Sequence, residues 1–332
     1  MRLAPVLALA AVLAAPAGLT ACRRDGAGRP LRVGYFPNVT HAQALVGLAD
    51  GTFSRALGGR IEARAFNAGP AAMEALLAGD LDVSWVGPGP AVTAYLRSRG
   101  EGLRVVAGAT SGGAVLVVRG ATGPRDLAGK KVASPQLGNT QDVALRTWLR
   151  ANGLSDRGGP DGVEVVPVSN ADILSLFARG QLEGAWVPEP WGARLLAEAK
   201  GRILVDERDL WEGGRFPTAL VVASARALAT RRSEVVALLR AHAELTRRWQ
   251  RDPEGFARAA NGAFARLAGK GLPDVVLQDA FSRLAPTLDP LPRQLAEGAR
   301  HARALGFTPP GDVSGLVDGA ALAEAAGGRP AP

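Results

Sequence analysis

The chain has 332 residues, 47% of them apolar and 21% charged, a balance that excludes a disordered polymer and leaves length for two packed units. Lys and Arg number 39 against 31 Asp and Glu, a formal net charge of +8. The basic residues are scattered beside acids and aromatics are only 5%, so no Arg- and aromatic-rich stripe is present and no nucleic-acid partner is expected.

The N-terminus reads as an export signal. Arg2 supplies a positive start, and residues 3–15 form an apolar run too short to span a bilayer. The segment ends in Leu19-Thr20-Ala21-Cys22, which resembles the bacterial lipobox, where cleavage exposes a cysteine for lipidation. Residues 1–22 are therefore expected to be a lipoprotein signal ending at a lipidated Cys22, which anchors the chain on the outer side of the cytoplasmic membrane. Cys22 is the chain's single cysteine, so an internal disulfide and a multi-cysteine metal site are excluded. Residues 23–30 read as a flexible spacer.

Strands and helices then alternate. Residues 31–35 read as a strand, and residues 41–49 as a helix with Thr40 placed as its N-cap. A second strand over 61–66 precedes a helix over 70–78 that opens on proline. Strands over 83–86, 103–107 and 114–118 continue the series, the alternation expected of a mostly parallel sheet with helices on both faces.

The second stretch echoes the first about one hundred residues later. Ala78-Gly79-Asp80-Leu81-Asp82-Val83-Ser84-Trp85-Val86-Gly87-Pro88 recurs as Arg179-Gly180-Gln181-Leu182-Glu183-Gly184-Ala185-Trp186-Val187-Pro188-Glu189. Val39-Thr40-His41-Ala42-Gln43-Ala44-Leu45 recurs as Asn139-Thr140-Gln141-Asp142-Val143-Ala144-Leu145. Two similar α/β lobes are predicted, since solenoid repeats are far shorter. Ligands of open parallel sheets bind beyond the carboxyl ends of strands. The expected cleft is therefore walled by loops at Asn38 to His41 and Gly87 to Gly89 in one lobe, and at Gly138 to Gln141 and Pro188 to Pro190 in the other.

The chain is expected to cross between lobes near Ser111-Gly112-Gly113 and to return around a strand over 218–223. Lobe 1 is thus expected to comprise residues 31–112 plus 223–308, and lobe 2 residues 113–222, joined by a two-crossing hinge. Residues 309–332, dominated by Gly, Ala and Pro, are expected to form a poorly ordered tail.

A family resemblance now emerges. Gly34-Tyr35-Phe36-Pro37-Asn38-Val39-Thr40-His41-Ala42-Gln43, Ala68-Gly69-Pro70, Val86-Gly87-Pro88-Gly89-Pro90 and Ala109-Thr110-Ser111-Gly112-Gly113 stand in order with Gly138-Asn139-Thr140-Gln141-Asp142 and Ala185-Trp186-Val187-Pro188-Glu189-Pro190-Trp191. Over roughly residues 31–228 the sequence resembles the substrate-binding proteins of the nitrate, sulfonate and taurine class of ABC importers, which have the type II periplasmic binding fold. The resemblance implies a binding protein outside the cytoplasmic membrane that passes a small anion to permease and ATPase subunits, working as a monomer without a cofactor. Known members of that class also bind bicarbonate or a thiamine-precursor pyrimidine, so a neutral or cationic heterocycle is the alternative ligand.

The matching loops suit an oxyanion. Thr40, Thr140 and Ser111 offer hydroxyl donors, and Asn38, Asn139, Gln43 and Gln141 offer amides. Gly138 and the Ser111-Gly112-Gly113 run can bring backbone N–H groups close to a ligand without a Cβ in the way, and Gly87 and Pro88 stand in the facing cleft loop. Helix N-termini at His41 and Thr140 add partial positive charge. Trp186 is assigned to a ligand wall, although core packing explains it equally. Glu189 either meets an amine on a zwitterion, pairs with an arginine or caps a helix. An enzyme on this fold that needs a cysteine nucleophile is excluded after Cys22, and no His/Asp/Glu cluster has metal-ligand spacing. A sensory adaptor outside the membrane is the remaining rival.

Overall fold

The computed structural model describes residues 28–327. The export signal, Cys22, most of the spacer and residues 328–332 lie outside the described residues.

The chain begins with β1 (Leu31–Tyr35), α1 (Ala42–Ala49), α2 (Thr52–Ala56), β2 (Ile61–Ala65), α3 (Gly69–Ala78), β3 (Val83–Val86), α4 (Pro88–Arg97) and β4 (Leu103–Gly112). Past Gly113 it enters a second body with β5 (Ala114–Val118), β6 (Lys131–Ser134), α5 (Thr140–Ala151), β7 (Glu164–Pro167), α6 (Asn170–Ala178), β8 (Gly184–Pro188), α7 (Trp191–Ala199) and β9 (Arg202–Asp206). It returns as β10 (Pro217–Ser224), then α8 (Ala225–Thr230), α9 (Arg232–Arg251), α10 (Pro253–Ala268), α11 (Asp274–Ser282), β11 (Leu284–Pro286), α12 (Pro292–Ala304) and α13 (Ala320–Ala325).

These strands form two sheets, ordered β11-β4-β10-β3-β1-β2 and β7-β6-β8-β5-β9. The internal echo is written into them. Parallel β2-β1-β3 in the first matches parallel β7-β6-β8 in the second, and each triplet is flanked by an antiparallel strand, β10 or β5. Strands covered on both faces read as unbroken apolar runs, as Ala219-Leu220-Val221-Val222-Ala223 does within the fully buried β10. Trp85 is fully buried in the first lobe's core, its ring 5.2 Å from Phe53 and 6.0 Å from His242.

Two expected boundaries change. The second lobe does not run to residue 222, because β10 joins the first sheet from Pro217 onward, wedged between β3 and β4. The return crossing precedes this strand instead of following it. Nor is the chain after residue 309 a loose tail over its described part. Val317 bridges Val105 at the end of the first sheet, Leu316 is buried, and Ala321 and Ala325 of α13 pack into the core beside α9. Small residues there allow close backbone approach, which a count of large apolar side chains misses.

Candidate functional site

Between the lobes lies a cleft of about 580 Å³. Its walls are loops at the carboxyl ends of β1, β2 and β3 on one side and of β6, β7 and β8 on the other. Helices α3, α4, α5, α6 and α7 all begin at these loops, so their N-termini bring partial positive charge to the cavity. Edge strands β2 and β7 place Phe66 to Gly69 and Pro167 to Ala171 at one end. Two strand spacings, about 10 Å, separate that end from the β3 and β8 loops.

None of the lining residues is Asp, Glu, Lys or Arg. His41 is the one titratable group among them other than through its backbone, and burial lowers its pKa to about 3. Its imidazole is thus neutral near pH 7. Nδ1 accepts the Phe36 N–H at 3.4 Å, which leaves the proton on Nε2, and the ring stacks on Phe36 with centroids 4.6 Å apart.

Asn38, Asn139 and Thr140 each have a side-chain acceptor occupied. Asn38 Oδ1 accepts both the Thr40 N–H and the Thr40 hydroxyl at 3.0 Å, so Asn38, and not Thr40, caps this turn. Asn139 Oδ1 accepts the Asp142 N–H at 2.9 Å and caps α5, with Thr140 in the first turn. Thr140 Oγ1 accepts the Gly89 N–H at 3.2 Å across the cleft. The amide oxygens of Gln136 and Asn170 are buried without a partner, so the groups these two side chains can offer a ligand are their N–H donors.

The structure brings Asn38, Thr40, His41, Gly87, Asn139, Thr140 and Gln141 to the cleft and places the other expected site residues elsewhere. Gln43 is fully buried, its Nε2 donating to the Ala109 carbonyl at 2.7 Å, and so ties α1 to β4. Ser111 Oγ accepts the Phe216 N–H at 3.3 Å where the strands cross between lobes. Gly112, at φ +77°, lies at that crossing, and a Cβ there would meet the Arg283 carbonyl oxygen at 2.5 Å. Gly138, at φ +71°, donates its N–H to Asp142 at 2.9 Å and shapes the loop from behind. Pro88 faces a smaller inter-lobe cavity of about 50 Å³ beside Trp211 and Leu295.

Trp186 and Glu189 are corrections of substance. The Trp186 indole is fully buried in the second lobe and donates to Glu207 at 2.8 Å, so it is core and not a ligand wall. Glu189 is equally buried. It pairs with Arg283 of the first lobe at 2.5 Å and accepts the Ala193 N–H at 2.9 Å. Burial pushes its carboxyl pKa up against the opposing pull of Arg283. Arg215, near the return crossing, pairs with Asp289 at 3.1 Å on the surface.

Sequence reasoning missed the walls at the two edge strands. Phe66 and Gly69 follow β2, while Gln136, Ser169, Asn170 and Trp191 come from the second lobe. A signal existed for one of them: Ser169 three residues before Asp172 is a helix-start pattern, and Ser169 Oγ does accept the Asp172 N–H at 3.2 Å.

Residues 25–263 match the NMT1-like family, well over half of the chain. The chain belongs to the NMT1-like family. It is 28% identical over 278 residues to the taurine-binding periplasmic protein of Escherichia coli (strain K12), covering 83% of this chain and 73% of that protein. Among solved structures, the periplasmic aliphatic sulphonate binding protein SsuA from Escherichia coli superposes with a TM-score of 0.68 at 22% identity, covering 87% of this chain and 92% of that one. The periplasmic nitrate-binding protein NrtA from Synechocystis PCC 6803 reaches a TM-score of 0.76 at 14% identity, covering 90% and 88%. Structural likeness at these identities carries the fold, and the fold of this family member is the two-lobed periplasmic binding architecture. These relatives are solute-binding proteins and not enzymes.

Proposed function

We propose that this NMT1-like protein is the extracytoplasmic solute-binding component of an ABC importer and captures a small anion of the sulfonate, taurine and nitrate class between its lobes. The observation that carries the reading is a cleft with no ionised side chain, ringed by helix N-termini and unspent N–H donors. Each such helix end contributes about 0.3–1 kcal/mol toward an anion, more where water is excluded. Asn38, His41, Gly87, Asn139, Thr140 and Gln141 are the expected contacts, joined by Gln136 and Asn170. Thr40 supports them by fixing Asn38. The ligand bridges both lobes, and closure is favoured by contacts that only the closed form makes. Delivery to permease and ATPase subunits follows, with the monomeric protein held at the membrane by lipid on Cys22.

Thermal unfolding of residues 23–332 against nitrate, sulfate, bicarbonate, alkanesulfonates, taurine, phosphonates and the thiamine-precursor pyrimidine tests this reading. A ligand at about 100 times its dissociation constant stabilises the fold by ~2.7 kcal/mol, a shift of several degrees. A shift with one or more anions is the expected outcome. A shift with the neutral or cationic pyrimidine alone overturns the anion reading while keeping the binding protein.

A further inference from the structure

We propose that Phe307, which belongs to the first lobe and stands outside the cleft, is a positioning residue for ligand capture: it latches onto the second lobe's loop at Gly138 to Gln141 when the lobes meet. This deepens the binding reading above and rests on it. Phe307 follows α12, which packs on α4 of the first lobe. Its ring nevertheless reaches the second lobe. A Cβ at Gly138 would lie 3.1 Å from Phe307 Cδ1, so the ring edge rests against the bare Cα of that glycine. The φ of +71° at Gly138 is also one that favours glycine. The side that a Cβ would occupy is thus taken by an aromatic ring from the other lobe.

The surface that receives the ring is braced from behind. The Arg146 guanidinium lies 5.8 Å from the Phe307 ring centroid, and it is held by Asp142 at 3.0 Å and by Asp156 at 3.2 Å. A guanidinium fixed by two carboxylates still offers its flat face to a ring. Asp142 also accepts the Gly138 N–H at 2.9 Å and the Ser134 hydroxyl at 2.6 Å, while its own N–H goes to Asn139 Oδ1. Phe307 therefore touches both groups, Gly138 and Arg146, that fasten this loop through Asp142. The next residues of the loop, Asn139, Thr140 and Gln141, line the cleft. A second contact joins the same two segments, since Arg150 donates to the Ala304 carbonyl at 3.4 Å.

Phe307 is half-buried and lies on neither crossing between the lobes, so its contact is between two surfaces and not within one core. Together with the Gly89 N–H on Thr140, it holds the ligand loop from the first lobe at two points. A contact between lobes adds to ligand affinity to the extent that the closed form makes it and the open form does not. Removing it leaves every group that faces the ligand in place but shortens the life of the closed form. Release then quickens, while encounter with the open lobes is unchanged.

The test compares the whole mature chain with its Phe307→Ala and Phe307→Tyr variants. Nitrate, sulfate, bicarbonate, taurine and propane-1-sulfonate are the probes, with calorimetry for affinity and stopped-flow fluorescence for rates. For each anion that binds the wild type, Phe307→Ala is expected to weaken binding about tenfold through faster dissociation, with association within about twofold. Phe307→Tyr keeps a ring over Arg146 and is expected to bind within about twofold of the wild type. A purely structural role would lower the denaturant midpoint of Phe307→Ala and leave its dissociation rate alone. That result overturns the inference and leaves the anion reading standing, as does a loss carried by slower association or a Tyr variant no better than the Ala variant. If none of these anions binds the wild type, the anion reading falls and the inference with it.

Discussion

Thr140 of the second lobe accepts a hydrogen bond from the Gly89 N–H of the first at 3.2 Å, so a side chain that lines the cleft also joins its two walls. The hydroxyl proton remains free for a ligand. Thr140→Val keeps the shape and removes both bonds, and ligand affinity measured by calorimetry is expected to fall about tenfold. Gly89→Val acts differently. A Cβ at Gly89 would already lie 3.1 Å from the Thr140 nitrogen and 3.2 Å from its hydroxyl oxygen, so the larger side chain keeps the lobes apart. Small-angle scattering of this variant with saturating ligand should retain the wider radius of the ligand-free protein. Full closure of Gly89→Val would contradict that role.

Arg283 neutralises the buried Glu189 from the opposite lobe. Arg283→Met leaves a carboxylate without its counter-charge, which costs about 3–5 kcal/mol in denaturant unfolding. Adding Glu189→Gln should recover part of the loss, because the buried charge is then gone. Equal instability of the single and double variants would show that packing, and not charge, is what Arg283 supplies.

Glu207 is buried and accepts the Trp186 indole, and burial raises its pKa from 4.5 to about 7. The folded protein therefore holds a proton there that the unfolded chain releases above 4.5. Stability from this group falls as pH rises from 4.5 to about 7, by about 3 kcal/mol in all. Glu207→Gln keeps an acceptor for Trp186 and removes the titration. Its melting temperature should exceed that of the wild type above pH 7, and the gap should close toward pH 4.5. A gap that is constant with pH would rule out this linkage.

His41 is neutral down to about pH 3. If it donates as a neutral imidazole, the affinity for a sulfonate should stay level between pH 8 and 5. Affinity that climbs as the pH drops through 6.5 would instead reveal an imidazolium in the site. The same residue works against the fold in acid, where the unfolded chain takes up a proton first, so its contribution to stability is lost as pH falls from 6.5 toward 3.

Local pattern carried much of this structure. Strand β1 over Leu31–Tyr35 and strand β5 over Ala114–Val118 stand where apolar runs between turn residues put them, and the echo of 78–88 in 179–189 became matched strands β3 and β8. What escaped was contact between residues remote in the chain. Glu189 looks like a site residue beside Pro190 until Arg283, 94 positions later, is seen to hold it. Trp186 and Trp191 are five residues apart and equally apolar. Only the strand's pairing with β5 and the start of α7 decide that the first is core and the second faces the cleft. The cap on the first turn went to Asn38 because its amide reaches two donors of Thr40 at once, a choice of geometry over residue preference.

The two crossings between the sheets, at Gly112 and Gly113 and just before Pro217, have a consequence for affinity itself. Each lobe owns half of the cleft, and once a ligand rests on one half the other is already tethered nearby. The second engagement then proceeds at an effective concentration fixed by the crossings and not by the amount of protein in solution. Lengthening either connection would dilute that local concentration and loosen the ligand, although no residue touching it had changed.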